Sequence, residues 1–590
     1  MQNSYEQTML KQGKARFHRQ EQKAKDKSQY SRRPSSQILI QQHCEAYAHK
    51  IQEFVHQAME GHAGKKSLAA TFLIDLDAKV VASIASRCIF DLLHNKPSLR
   101  KLSTAIGQLI QTEREFQHFF EQAPRSFQII MQNLTKQNMD TRLKRYVLDR
   151  IAREQGLTIK EMDASDMILV GSKLVELFIE TTGLVTLEKV QTKKHYKNCI
   201  VLTADGLSFI EEVNKRLENL KPVWGPIPEK PRPWKGLKEG GFYTLSKSFV
   251  RTRSKLHRTL LEGHAMPKVY DAVNALQETP WCVNRRVLDV VQALRDIGLE
   301  IAGLPETYDP AIHGEPADWK KESHSKHDEG MKHMMRNFEC GRTLGVAQTY
   351  RREEHFYFVH TLDFRGRAYP VTSYLSPQGK DLDRGLLTFA QECAEPLGED
   401  GVWWLATHGA NCWGHNKLTF AERIAWVNEH TPRILRVAED PLGDYWWTEA
   451  EEPFQFLAFC FEWANYQEQG LGYMCSLPVA VDGSSNALQH FSALLLDKEL
   501  GEATNMLPRT SPRDLYQEVA DLVRPRIEKD AESGHKEALA LIGKINRKVV
   551  KAPVMTAYYG VTQQGMREQI EEAFEDQKIK IEQGKMKVCH

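Results

Sequence analysis

The stretch PVWGPIPEKPRPWKG (222–236) places five prolines in fifteen residues. Each proline fixes φ and removes a backbone donor, so neither a helix nor a central strand can run through it. The segment reads as an extended connector and a boundary. A chain of 590 residues is too long for one core, so separate cores are expected on the two sides.

Residues 1–33 read as a charged helix that Arg33-Pro34-Ser35-Ser36 breaks. From about 37 to 220 the pattern is amphipathic helix, as with Leu174, Leu177 and Phe178. The exception is LEKVQTKKHYKNCIVLT (187–203), β-branched at both ends and basic in the middle. It predicts a hairpin with Lys193, Lys194 and Lys197 at its tip. Past the connector, helix is expected from about 249 to 300, then a polar loop at 305–328 that leads into a helix. FYFVHTLDFRGRAYPVTSYLSPQG (356–379) alternates like strand, and helix follows to about 470. SLPVAVD (476–482) reads as a short buried strand that ends in a carboxylate, and 509–590 as helix again. The class is α+β, predominantly helical.

Formal charge is only +2, with 79 basic against 77 acidic residues, but local distribution matters more than the sum. Residues 1–36 carry nine Lys or Arg against three acids. No CxxC pair occurs among the ten cysteines, so zinc-module spacing is absent and a reducing cytosol is expected. No apolar run approaches the roughly 18–20 residues of a membrane span. His43 with His49, and His324 with His327, lack a ligand set. No phosphate loop of the GxxxxGK[ST] kind and no GxSxG elbow is present.

Three places could carry chemistry. Asp482 ends its strand beside Gly483, which lets another group approach the backbone closely; a carboxylate with a free carbonyl suits magnesium, although such an Asp can equally cap a turn. In RKVVKAPVMTAYYG (547–560) and just before it, Lys544, Arg547, Lys548 and Lys551 fall on one helical face. Like charges so placed destabilise a helix, a cost that a bound anion offsets; a solvated basic face is the alternative. Arg547, Lys551, Met555 and Tyr559 are spaced by four, and Pro553 is expected to kink or restart the helix. Finally, Arg365 and Arg367 bracket Gly366, and strand alternation would point both guanidiniums to one face, suited to a sugar-phosphate backbone; an ion pair with Asp363 is the alternative.

Together these segments resemble the single-subunit, bacteriophage-type DNA-dependent RNA polymerases, a family that includes the mitochondrial enzyme. DFRGRAYPVTSYLSPQGKDLDRGLLTFA (363–390), HGANCWG (408–414), FLAFCFEWANY (456–466), SLPVAVDGSSNALQHFSALLLD (476–497) and RKVVKAPVMTAYYG follow the family's order. The resemblance implies a right-hand polymerase: an N-terminal helical domain over 1–299, a thumb at 300–352, the first part of the palm at 353–508 and the first part of the fingers at 509–590. It implies that Asp482 ligates two catalytic magnesium ions with the Gly483 carbonyl. Arg547 and Lys551 would hold the incoming triphosphate, with Lys551 placed as general acid. Tyr559, followed by Gly560, would test the sugar. Arg365 and Arg367 would touch template and hybrid. Lys65 and Lys66 fall where the family keeps a promoter-reading loop, and Lys193 and Lys194 where it keeps a strand-separating hairpin. The implied partners are promoter and template DNA, nascent RNA and ribonucleoside triphosphates, without a membrane, in the cytoplasm of an infected or lysogenic bacterial host.

The chain departs from the family in places. The family's second catalytic aspartate lies in a His-Asp-Ser motif, and no HDS occurs here. The expectation is therefore a truncated or split polymerase, a monomer or paired with a missing C-terminal portion, that does not polymerise RNA alone. Asn486 and Ala487 stand where relatives have Ser and Gly. Related DNA polymerases carry a Glu at the position of Ala487, which blocks a ribose 2′-hydroxyl; Ala is too small to do so. A non-catalytic nucleic-acid-binding fragment is the other rival.

Overall fold

The computed structural model describes residues 2–61, 68–136, 147, 150–151, 153–154, 156–157, 161–191, 196–219, 221–298, 300–307, 324–509, 511–577 and 579. It divides into two compact units, Ser4–Val223 and Trp224–His590 with Met1–Asn3. The division falls inside the proline-rich stretch. The fold is α+β and predominantly helical.

In the Ser4–Val223 unit, Pro34 does not simply end the first helix. It sits at the first position of a second one, Pro34–Met59, where its missing N–H costs nothing. The core joins Tyr47, Ile51, Val81, Ile89, Leu102, Ile106, Val170, Leu174 and Phe178. The Leu99–Gln122 and Ala164–Thr182 helices cross closely because glycines meet backbone from both sides. A Cβ at Gly107 would lie 2.3 Å from the Met167 carbonyl oxygen, and one at Gly171 only 1.9 Å from that of Ser103. Asp163 and Asp166 form a capping box that starts the second of these helices, satisfying N–H groups left open by helix geometry. The hairpin is present as Val185–Gln191 paired antiparallel with Tyr196–Leu202, and Lys197, expected at the tip, lies in the second strand opposite Val190.

In the Trp224–His590 unit, Val250–Arg251 pairs parallel with His360–Asp363, which pairs antiparallel with Ala368–Pro370. Trp281–Val283 pairs with Leu387–Phe389. Three helices, Gly398–Trp413, Phe420–Glu439 and Pro453–Gln469, pack against one another around Phe456, Phe459 and Trp463. Two features of HGANCWG explain its residue types. Gly409 lies against the Phe459 ring, 2.3 Å from where a Cβ would be. Gly414 closes the helix at φ +117°. Asp381, 73 residues away in the chain, accepts from the Phe454 N–H and thereby caps the Pro453–Gln469 helix.

The expected buried strand at 476–482 is not formed. The short strand Met474–Cys475 pairs with Glu395–Pro396, and the Ser476 carbonyl accepts from the Phe389 N–H. From Leu477 to Ser485 there is no strand, and Val481 is 82% exposed. The apolar pattern was that of a strand, but no described backbone runs alongside it to complete a ladder. The last helices, Leu515–Glu532, Arg547–Ala557 and Gln563–Asp576, share a small core of Ala520, Leu541, Ile545, Val549 and Phe574.

Candidate nucleotide and nucleic-acid site

The cationic helix begins at Arg547, not upstream. Asn546 caps it, its side chain accepting from the Lys548 and Val549 N–H groups. Lys544 therefore lies outside the helix, in the turn before it, and the expected four-cation stripe shrinks to Arg547, Lys548 and Lys551. Asn is a strong cap, and its signal outweighs the charge periodicity. Pro553 does not stop the helix, which continues to Ala557. Val549, fully buried, anchors one face; Lys548 and Lys551 are exposed and Arg547 is half-buried. Tyr559 follows the helix end, 66% exposed, and Gly560 takes φ +75°, a conformation glycine adopts without strain.

Arg547 has a partner that no periodicity announces. Its Nε donates to Asp514 Oδ2 at 2.5 Å. Lys417 Nζ stands 3.8 Å from the same oxygen. Burial alone would raise the Asp514 carboxyl, but the Arg547 hydrogen bond and the Lys417 and Arg547 charges hold it below the usual carboxylate range. Burial lowers Lys417; Asp514 opposes that, and Arg547 and Lys551 add to it. Lys417, Arg547, Lys551 and Asp514 thus form one electrostatic cluster. Lys417 comes from the loop between the Gly398–Trp413 and Phe420–Glu439 helices, 130 residues before Arg547 in the chain. Asp514 carried only a helix-cap signal, since its partner lies 33 residues further on.

Asp482 and Gly483 are exposed on an irregular segment. Asp482 Oδ1 accepts from the Gly483 N–H at 2.8 Å. The close approach expected at Gly483 is made by Asn486, whose Oδ1 would be 2.3 Å from a Cβ there. Ser485 takes φ +72°, a left-handed conformation that costs a serine energy. The Asn486–Leu495 helix follows, and its Phe491 ring meets Tyr558 at 5.9 Å between centroids. The helix that follows the Asp482 segment therefore touches the end of the cationic helix. A carboxylate and a carbonyl are hard oxygen donors that fit magnesium, with polyphosphate and water to fill the other positions. Among the described residues no three or more His, Cys, Asp or Glu converge on a metal position. A cavity of about 510 Å³, lined by residues that include Leu237, His264 and Tyr270, contains none of these site residues.

Arg365 and Arg367 occupy a tight turn, not a strand. Asp363 organises it: its Oδ1 accepts from the Arg365 and Arg367 N–H groups, and its Oδ2 from Arg365 Nε and Nη2 at 2.9 and 2.8 Å. The alternation stops because Gly366, at φ +83°, reverses the chain. Arg365 is thus ion-paired, while the exposed Arg367 side chain is not held by Asp363. Arg251, on the neighbouring strand, stacks its guanidinium 5.0 Å from the Tyr369 ring centre, which adds a cation beside this turn that spacing did not reveal. Lys65, Lys66, Lys193 and Lys194 lie outside the described residues.

Residues 395–589 match the family described as DNA-dependent RNA polymerase. The chain is 35% identical over 445 residues to the DNA-directed RNA polymerase of Enterobacteria phage K11, covering 68% of this chain and 49% of that protein. It is 30% identical over 581 residues to T7 RNA polymerase of Escherichia phage T7, covering 87% and 64%. It is 34% identical over 402 residues to the mitochondrial DNA-directed RNA polymerase of Schizosaccharomyces pombe, covering 64% and 34%. These matches define the class as DNA-dependent RNA polymerase. The chain belongs to the single-subunit, phage-type family of these polymerases, and it spans between about half and two thirds of the length of its phage relatives.

Proposed function

We propose that this chain takes part in template-directed RNA synthesis, the transfer of ribonucleotides to an RNA 3′-hydroxyl. The observation that carries the reading is the cluster that Lys417, from the loop between two earlier helices, forms with Arg547 and Lys551 on a helix whose end touches the helix that follows Asp482. Three cations held together suit a polyphosphate, whose oxygens accept charge-assisted hydrogen bonds. In this reading Arg547 grips the triphosphate bidentately and Lys551 delivers a proton to the leaving pyrophosphate. Tyr559 contacts the sugar, and Ala487 leaves room for its 2′-hydroxyl. Asp482 and the Gly483 carbonyl hold magnesium, which when bound supplies charge neutralisation and activation of the attacking hydroxyl. Positioning and electrostatic clamping provide most of the rate. Arg365 and Arg367 contact template and hybrid, and Lys65, Lys66, Lys193 and Lys194 contact promoter DNA. Residues 1–299 form the N-terminal region, 300–352 the thumb, 353–508 palm and 509–590 fingers.

Asp482 is a single carboxylate where two-metal chemistry uses more, so these 590 residues alone bind nucleotide without extending RNA. The test uses the purified chain with magnesium and a ribonucleoside triphosphate. Equilibrium dialysis should show binding that Arg547→Ala and Lys551→Ala each weaken by about tenfold or more, as expected for a charged hydrogen bond. Run-off transcription should give no product. Unchanged affinity in both variants overturns the site, and robust transcript overturns the inactivity of the chain.

A further inference from the structure

We infer that Asp514 is a positioning residue for the triphosphate: it fixes the Arg547 guanidinium by its Nε edge so that the Nη edge is presented to the ligand. The inference rests on the reading that Arg547 binds triphosphate. Arginine has five donors in a rigid fork. Asp514 takes the Nε donor, which leaves the two Nη groups to grip a phosphate. Tyr516 limits motion on the guanidinium face, its ring centre 5.6 Å from Arg547 Cζ. Asp514 is itself held, because it caps the Leu515–Glu532 helix through the Gln517 N–H and its side chain is only 18% exposed. An otherwise mobile side chain is therefore ordered before the ligand arrives, and the entropy of ordering it is not charged to binding.

The same carboxylate answers the repulsion on the helix. Without Asp514, Lys417, Arg547 and Lys551 would face each other unscreened. One carboxylate between Lys417 and Arg547 keeps the cluster together, and a net surplus of cationic charge remains for the polyphosphate. Asp514 acts through Arg547 and does not touch the ligand.

The test separates this role from helix capping. Asp514→Ser keeps a good N-cap but is too short to reach Arg547. Asp514→Asn also keeps the cap, but its one amide oxygen is used by the Gln517 N–H that Oδ1 now holds, and its NH2 then faces the Arg547 Nε–H that Oδ2 now accepts. Magnesium–ribonucleoside triphosphate binding to the purified full chain is measured by equilibrium dialysis, with the thermal midpoint as a control for folding. Asp514→Ser and Asp514→Asn should each weaken binding about fivefold or more, with the thermal midpoint staying near that of the parent. In an Arg547→Ala background, Asp514→Ser should change nothing further. Binding by Asp514→Ser equal to or tighter than the parent overturns the inference, as does a full additional loss in the Arg547→Ala background. If Arg547→Ala itself leaves binding intact, the triphosphate reading fails instead, so the two failures are distinct.

Discussion

His408 shows how strongly one buried side chain can couple this fold to pH. It lies on the Gly398–Trp413 helix, one residue before the glycine that admits Phe459, and is almost wholly buried. Its ring approaches the Cys412 thiol, with Nε2 3.5 Å from Sγ. Burial, then the nearby Arg384 charge, lowers its pKa to about 4. An unfolded histidine titrates near about 6.5, so between those values the unfolded chain binds a proton that the folded chain refuses. The contribution is complete above the unfolded value and is lost as pH falls toward the folded one. Between about pH 7 and about pH 5 the loss should be about 2 kcal/mol. Denaturant unfolding at both values measures it, and His408→Gln should flatten that part of the difference. A slope unchanged by the substitution would assign the pH dependence to other groups. Asp363, whose side chain is only 13% exposed, is held below the usual carboxylate range by its bonds to Arg365 and Arg367, so its contribution too is lost as pH falls, but in the more acid range where carboxylates titrate.

The helices follow apolar periodicity because most of their stability comes from one buried face. The Leu99–Gln122 and Ala164–Thr182 pair adds a feature that periodicity does not announce, the glycine at each side of the crossing. Gly171→Ala should push the two backbones apart, since the new methyl would overlap the Ser103 carbonyl. The expected cost is about 1–3 kcal/mol, read as a lower midpoint in thermal or denaturant unfolding and faster proteolysis within the Ser4–Val223 unit; a neutral effect would mean that the crossing relaxes freely. The hairpin was readable because β-branched runs flank a basic middle, and the break at 222–236 because five prolines allow neither a helix nor a central strand. The 476–482 strand was misread because alternation records a strand's own pattern but not whether a partner is present. The Arg365–Arg367 turn was misread for a related reason: Asp363 and Gly366 bend the chain through local hydrogen bonds that compete with a ladder. Helix limits also depended on caps. Asn546 moved the start of the cationic helix past Lys544, and Pro553, read as a kink or restart, does not interrupt the helix.

Across the whole molecule, the candidate site was visible as residue types but not as an assembly. Arg547 and Lys551 stood out through their spacing, whereas Lys417 and Asp514 come from distant segments and joined them only in the folded chain. Nearly balanced total charge makes local pairing decisive for nucleic-acid binding, and Arg365 and Arg367 give a direct comparison. Both lie on one exposed turn, but Arg365 is already neutralised by Asp363. A phosphate contact releases counterions only to the extent that the cation brings uncompensated charge, with a slope in log affinity against log salt of about 0.7–0.9 per contact. If the turn grips a nucleic-acid backbone, Arg367→Ala should lower that slope by nearly one contact, and Arg365→Ala by clearly less. Asp363→Asn should have the opposite sign, because it frees Arg365 and steepens the slope, provided the turn survives loss of the carboxylate. Fluorescence anisotropy of a labelled RNA–DNA hybrid over a salt series measures all three variants. Equal slopes for parent and Arg367→Ala would remove this turn from the nucleic-acid interface, whatever the nucleotide site does.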